Sequence, residues 1–223
     1  MPTAATTPVG PATSRRRKGE LTAERILDAA ESLFAATGYA GTTLRDVAGA
    51  VGLRTPSLYN HFTSKDALYA AVLKRGIGPL LDTLSQAVED IARSPELGPG
   101  RLAEKLMAQL AERPKLPQLI QHEALTGGGR LSPMLREWII PVFTSADRMV
   151  AAGPAASRWK AEQLPLLVIA MYNIIVGYFT IAPLYKELNG ADLLTSEALA
   201  TQTRLFSEVV ETLFDTSTAG NGG

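Results

Sequence analysis

The chain has no cysteine and only two histidines among its 223 residues. The first absence excludes disulfide staples and thiolate metal sites, and with them the small secreted scaffolds that depend on both. The second removes most of the usual material for general acid–base catalysis. His122 has no cysteine or second histidine at ligand spacing, so neither a metal nor any other cofactor is expected. A Gly-x-Ser-x-Gly elbow is also missing. Gly127-Gly128-Gly129-Arg130 lies between helical segments and not after a strand, so it reads as a connector and not as a phosphate loop. An enzyme is not expected.

Net charge is absent too, at zero overall, but the charges are unevenly placed. Up to Gly76 there are ten Lys/Arg against six acids, and the remainder holds 12 against 16. A basic head on an acidic body is the asymmetry expected when one part meets phosphate. The hydrophobic content of 46% and charged content of 20% are those of a folded protein with a real core.

Alternating strand patterns are lacking, whereas apolar residues recur at spacings of three and four between Gly, Pro and Ser/Thr punctuation. The fold class read from this is all-α. Residues 1–20 read as a disordered basic arm, 21–76 as a small helical domain, 77–215 as a larger one, and 216–223 as a disordered tail. The arm's charges, Arg15 to Lys18, follow a stretch too polar for a signal peptide, so a cytoplasmic protein is expected. The run itself has two open readings, a solubilising segment or a minor-groove arm.

In the small domain, Thr22 is expected to cap a helix burying Ile26, Ala30, Leu33 and Phe34, ended by Gly38. Thr43-Leu44-Arg45-Asp46 starts a short second helix as a capping box with Asp in place of Glu, and Gly52 turns the chain. Thr55-Pro56 reads as a cap followed by a first-turn proline, giving a third helix over Pro56–Phe62. Ser64 caps a fourth, Lys65–Arg75, which Gly76, Gly78 and Pro79 are expected to halt. Two short helices joined by a glycine turn and braced by a longer one make a helix-turn-helix, whose second helix enters the major groove. Leu58 and Phe62 set its inner face, so Pro56, Ser57 and Asn60 face outward, flanked by Tyr59 and His61. Short or planar hydrogen-bonding groups suit base edges, and Asn pairs naturally with adenine.

The residues that carry this pattern are Arg25-Ile26-Leu27-Asp28-Ala29-Ala30, Leu33-Phe34, Gly38-Tyr39, Thr42 to Ala48, Gly52-Leu53, Leu58 to Phe62 and Ser64 to Leu68. Together they resemble the N-terminal domain of the TetR family over about 55 residues. The resemblance implies that Arg45, Thr55, Pro56, Ser57 and Asn60 approach bases, and that Thr43, Tyr59, His61 and Lys65 grip phosphates. It also implies a homodimer on double-stranded operator DNA, with a small-molecule effector that releases a repressor. Thr55-Pro56 stands where the family often has Gly or Lys, so base preference is not carried over. Tyr59 and His61 also have a reading as packing residues, and Lys65 as a solvated one.

The larger domain reads as helices near Leu80–Arg93, Arg101–Arg113, Pro117–Leu125, Pro133–Ala152 (kinked at Pro141), Gln163–Leu188 (kinked at Pro183) and Ser196–Phe214. Gln163 to Tyr185 has no charged residue, long enough for a bilayer. Pro165, Asn173 and Pro183 inside it, and a basic N-terminal domain ahead of it, favour a buried or subunit-covered helix over a membrane span. Paired with Leu199, Phe206, Val209, Val210 and Leu213, it resembles the two-helix face through which the family dimerises as a four-helix bundle. Met107, Gln118, His122, Trp138, Tyr172 and Phe179 are candidate effector contacts, being large or hydrogen-bonding groups on otherwise apolar helices, and each also reads as plain core.

Overall fold

All regular structure among the described residues is helical, in a computed structural model that describes residues 11–93, 99–130, 133, 136 and 159–214. The chain divides into two compact units, Met1–Val72 and Leu73–Gly223, and the division falls inside one helix.

The first unit comprises α1 (Pro11–Gly41), α2 (Leu44–Ala50), α3 (Thr55–Tyr59) and the opening turns of α4 (Lys65–Arg93). Its core is the stripe read from the sequence: Ile26, Ala30 and Phe34 of α1, Val47 and Ala48 of α2, Leu58 of α3, and Leu68 and Val72 of α4 are all buried. Leu33 and Phe62 are only half-buried. Each fully buried Ile, Leu or Phe contributes about 1.5–3 kcal/mol, so this small set supplies most of the unit's cohesion. Gly38 does end regular helix, as expected: its φ of 70° and ψ of 176° lie in a region essentially reserved for glycine. The corner carries Tyr39 back over the core. Its ring stacks on Phe34 at 6.1 Å and meets Tyr69 edge-on at 5.1 Å, and Phe34 and Tyr69 meet edge-on at 4.8 Å. The Tyr39 hydroxyl donates to Asp66 Oδ1 at 2.6 Å, which ties the end of α1 to the start of α4.

Three expectations are corrected here. α1 starts at Pro11 and not at Thr22, so residues 11–20, expected to be disordered, are helical. Proline suits a first helical turn, Ala12 and Arg15 to Lys18 are good helix formers, and no glycine falls between Pro11 and Gly19. Thr55 is not the cap of α3; Arg54 holds that position and Thr55 is already helical. Most consequential, α4 does not stop at Arg75 but runs through Gly76, Gly78 and Pro79 to Arg93. Leu73, Ile77 and Leu81 are buried along this stretch. Their burial outweighs about 1 kcal/mol for each glycine and about 3 kcal/mol for the proline.

In the second unit α4 is followed by α5 (Pro99–Glu112), α6 (Leu116–Leu125), a 3-10 turn over Ala161–Gln163, α7 (Leu164–Asn189) and α8 (Ser196–Phe214). α5 packs along α8, and α6 packs against α7. Gln109 of α5 reaches α4, donating to Thr83 Oγ1 at 2.8 Å. Trp159 Nε1 donates to the Leu213 carbonyl at 2.7 Å. α7 contains Pro183 and ends at Gly190, whose φ of 71° lets its N–H return to Lys186 O at 2.8 Å. Of the helix expected over Pro133–Ala152, only Pro133 and Arg136 are described, and both are helical; Trp138 and Pro141 lie outside the described residues, as does the tail 216–223.

The glycines of α4 are not equivalent. A Cβ on Gly76 would lie 2.5 Å from Leu116 Cδ1 and 3.3 Å from its Cγ, whereas one on Gly78 would have nothing within 4 Å. Gly78→Ala should therefore stabilise the chain by about 0.5–1 kcal/mol through lower unfolded-state entropy. Gly76→Ala should fall about 1–3 kcal/mol below it, because buried Leu116 must move. Urea unfolding of the two variants tests the contrast, and equal stabilities would contradict the close approach.

Candidate nucleic-acid interface

The second helix of the first unit is held at both ends by local chemistry. At its start the Thr43 hydroxyl accepts from Asp46 N at 3.2 Å, and Asp46 Oδ2 accepts from Thr43 N at 2.9 Å, so both halves of a capping box are present. The Thr43 hydroxyl proton also goes to Asp46 Oδ2, at 2.6 Å. These bonds, the side-chain one foremost, hold the Asp46 carboxyl below its ordinary value of 3.8. At the other end Leu53 N donates to Ala48 O at 2.8 Å and Gly52 N to Gly49 O at 3.1 Å. With Gly52 at a φ of 70° this is a Schellman turn, the device that satisfies the last carbonyls of a helix and reverses the chain. Arg25 braces the turn from α1, its Nη2 donating to Val51 O at 3.2 Å.

The turn delivers α3, five residues long and far too short to be stable alone. One side chain anchors it: Leu58 is 0% exposed. After Tyr59 the backbone keeps bonding to the same residue, His61 N and Phe62 N both donating to Leu58 O, at 2.9 and 3.0 Å. Ser64 Oγ then caps α4 by accepting from Ala67 N at 3.0 Å.

Around this anchor the structure sorts the nine expected contact residues into groups. Pro56 and Tyr59 are exposed on α3 and Asn60 at its C-cap, Tyr59 by 50%, which removes its reading as a packing residue. Thr55, Ser57 and His61 are half-buried beside them. Arg45 is exposed on α2. Thr43 is exposed, but its hydroxyl proton and its N–H are both held by Asp46, so neither is free to donate to a phosphate. Lys65 is half-buried with its ammonium 4.1 Å above the Tyr39 ring, a cation–π contact and not a solvated chain. Arg54, which the sequence reading did not include, is a further exposed cation immediately before α3.

A braced helix-turn-helix with a polar outer face on its second helix has its counterpart among known proteins. Residues 26–72 match the family model of bacterial regulatory proteins, tetR family. The chain carries the N-terminal domain of the TetR family. Over 72 residues it is 35% identical to the uncharacterized HTH-type transcriptional regulator YerO of Bacillus subtilis, strain 168, across 32% of this chain and 25% of that one. Over 51 residues it is 45% identical to IcaR of Staphylococcus aureus, strain Newman, the negative transcriptional regulator of a biofilm operon, across 23% of this chain and 27% of that one. The match thus spans about a quarter of the length of each relative. A transcriptional regulator of Aquifex aeolicus VF5 shares the fold over 86% of this chain and 99% of its own, with a TM-score of 0.57 at 20% identity. The TetR-type domain is therefore followed by a helical unit of a kind already seen behind it.

The effector candidates are more scattered. Met107 and Phe179 are buried, Gln118 and Tyr172 half-buried, and His122 is exposed, so His122 does not line the interior of its unit. The residue next to it does face inward: Gln121 Oε1 accepts from the Tyr172 hydroxyl at 3.4 Å, between α6 and α7. Burial raises the Tyr172 hydroxyl above its ordinary value, so it remains a donor at neutral pH.

Two measurements follow. Asn60→Ala should weaken specific DNA binding by about 1–3 kcal/mol with little change in melting, while Leu58→Ala should cost about 2–5 kcal/mol of stability; the reverse pattern would refute the register of α3. Because the Asp46 value is lowered on folding, its contribution is complete above 3.8 and is lost as pH falls through the lower folded value. Asp46→Asn should therefore show a flatter loss of stability in acid than the parent chain. Parallel acid-unfolding curves would show that the box contributes nothing.

Proposed function

We propose that the chain is a transcriptional regulator that binds a palindromic operator as a dimer and is released by a small-molecule effector. The observation that carries this reading is α3: a five-residue helix anchored by Leu58 alone, presenting Pro56, Tyr59 and Asn60 outward from a braced turn. Repression is the favoured sign, since IcaR, similar in this stretch, is named a negative regulator.

Dimerisation is supported by α7. Leu166, Ile169, Ile181, Leu184 and Leu188 are exposed, Leu188 by 72%, and positions 166, 169, 173, 177, 181, 184 and 188 follow the three-and-four spacing of one helix face. Gly177 lies mid-stripe with nothing within 4 Å of a Cβ, leaving room for a second backbone. Leu205 of α8 is also exposed. Pro165–Asn189 is long and apolar enough to cross a membrane. A second copy of the chain, paired through a two-fold axis, covers the same stripe and also explains the need for two reading heads. The effector is placed in the second unit, where the half-buried Tyr172–Gln121 pair offers a polar anchor between apolar helices.

Footprinting should show an inverted repeat whose half-sites are about 34–36 Å apart or a multiple of that. Leu184→Glu with Leu188→Glu should yield a monomer by sedimentation that has lost operator binding but retains the helical content of the parent. A non-palindromic footprint from a monomer would overturn the proposal, and so would membrane partition of the parent chain.

A further inference from the structure

The helix-turn-helix has little of what draws a protein to DNA before any base is read. From Gly19 to Val72 there are four basic residues against six acidic ones, a balance of −2. Two of the four are already engaged, Arg25 with Val51 O and Lys65 with the Tyr39 ring. The general attraction of a protein to DNA comes from local Lys and Arg that displace counterions from phosphates. Four further cations, Arg15, Arg16, Arg17 and Lys18, stand immediately upstream and turn the balance through Val72 to +2.

The backbone fixes where this run lies. α1 is helical from Pro11, so the run belongs to its early turns. At about 100° per residue, positions 15, 18, 22 and 25 share one face. At Arg25 that face is the one that meets Val51, the C-cap of α2. α2 begins next to the end of α1, with Thr43 as its N-cap two residues after Gly41, and its other end lies at Arg25. It therefore runs back along α1, and positions 15 to 18, about 10–15 Å further along the axis, project past its end. That is the side from which the turn leads into the first residues of α3 at Thr55. Phosphate contacts flank the groove that a recognition helix enters, and a cationic segment on the side of the first residues of α3 is positioned to supply them.

We propose that the Arg15–Lys18 segment is a phosphate clamp, docking on the duplex backbone beside the half-site that α3 reads. It rests on the DNA-binding reading above and assigns the non-specific part of that binding to a segment outside the helix-turn-helix.

The test is a full-length chain with Arg15→Gln, Arg16→Gln, Arg17→Gln and Lys18→Gln, glutamine preserving helix propensity. Fluorescence anisotropy would follow its binding, and that of the parent, to an operator duplex and a non-operator duplex over a salt series. The plot of log K against log salt should be about 2–4 shallower in the variant, at about 0.9 for each phosphate that is no longer neutralised. Operator and non-operator affinity should fall by the same factor, about tenfold or more at physiological salt, with unchanged helicity by circular dichroism. Equal slopes and affinities in the two chains would overturn the clamp while leaving the helix-turn-helix reading intact. Loss confined to the operator would overturn it as well, since the run would then read bases. A parent chain that binds neither duplex would overturn the DNA-binding reading, and the clamp with it. Parent-chain binding to phosphatidylserine vesicles, with DNA slopes unchanged in the variant, would reassign the run to a lipid surface and overturn the clamp.

Discussion

The first unit depends on one backbone conformation, that of Gly38. At φ 70° and ψ 176° it occupies a region that a Cβ would make costly, by about 1–3 kcal/mol. The corner it makes places Tyr39 where three separate attachments converge: the aromatic cluster with Phe34 and Tyr69, the hydrogen bond to Asp66, and the ammonium of Lys65. Two of these partners lie in the first turn of α4 and one in its second, so the end of α1 and the start of α4 are fixed together. α2 and α3 occupy the stretch of chain between those two fixed points. A straight α1 would carry Tyr39 onward along its axis and release all three attachments at once.

Within that frame the work is divided cleanly among residues. Thr43 and Asp46 start α2, the Schellman turn at Gly52 stops it, Arg25 braces the stop, and Leu58 seats α3. Their polar atoms are directed at backbone groups that helix ends leave without partners. Pro56, Tyr59 and Asn60 are exposed and take no part in that framework. The separation explains why Thr43, expected at the phosphates, belongs with the framework: its hydroxyl donates to Asp46.

What could be read from the sequence was what local chemistry decides. The Thr43–Asp46 box, the stop at Gly38, the cap at Ser64 and the bounds Ser196–Phe214 all follow from residues within a turn of each other. What could not be read depended on distant partners. Gly76, Gly78 and Pro79 are helix breakers by intrinsic preference, and only the burial of Leu73, Ile77 and Leu81 overrides them. The start of α1 was missed for a different reason: a run of like charges reads as disorder, although each of its residues is a good helix former. In the second unit, His122 stood out as a hydrogen-bonding group on an otherwise apolar helix, whereas position along the helix put its neighbour Gln121 inward against Tyr172. One step along a helix is about 100°, enough to exchange inside for outside, and a single apolar segment does not fix that angle to better than a residue.

The brevity of α3 has a consequence for how such a protein can change over generations. A helix of five residues that owes its position to Leu58 and to the turns around it contributes little folding energy through its outward side chains. Replacement at Tyr59 or Asn60 is then nearly neutral for the scaffold, so under the proposed DNA-binding role selection can act on them through recognition alone. Sequence preference becomes a setting that drifts freely on a fixed mount. A duplicated copy can acquire a new target by a handful of surface substitutions, without first accumulating the stabilising changes that a remodelled core would demand.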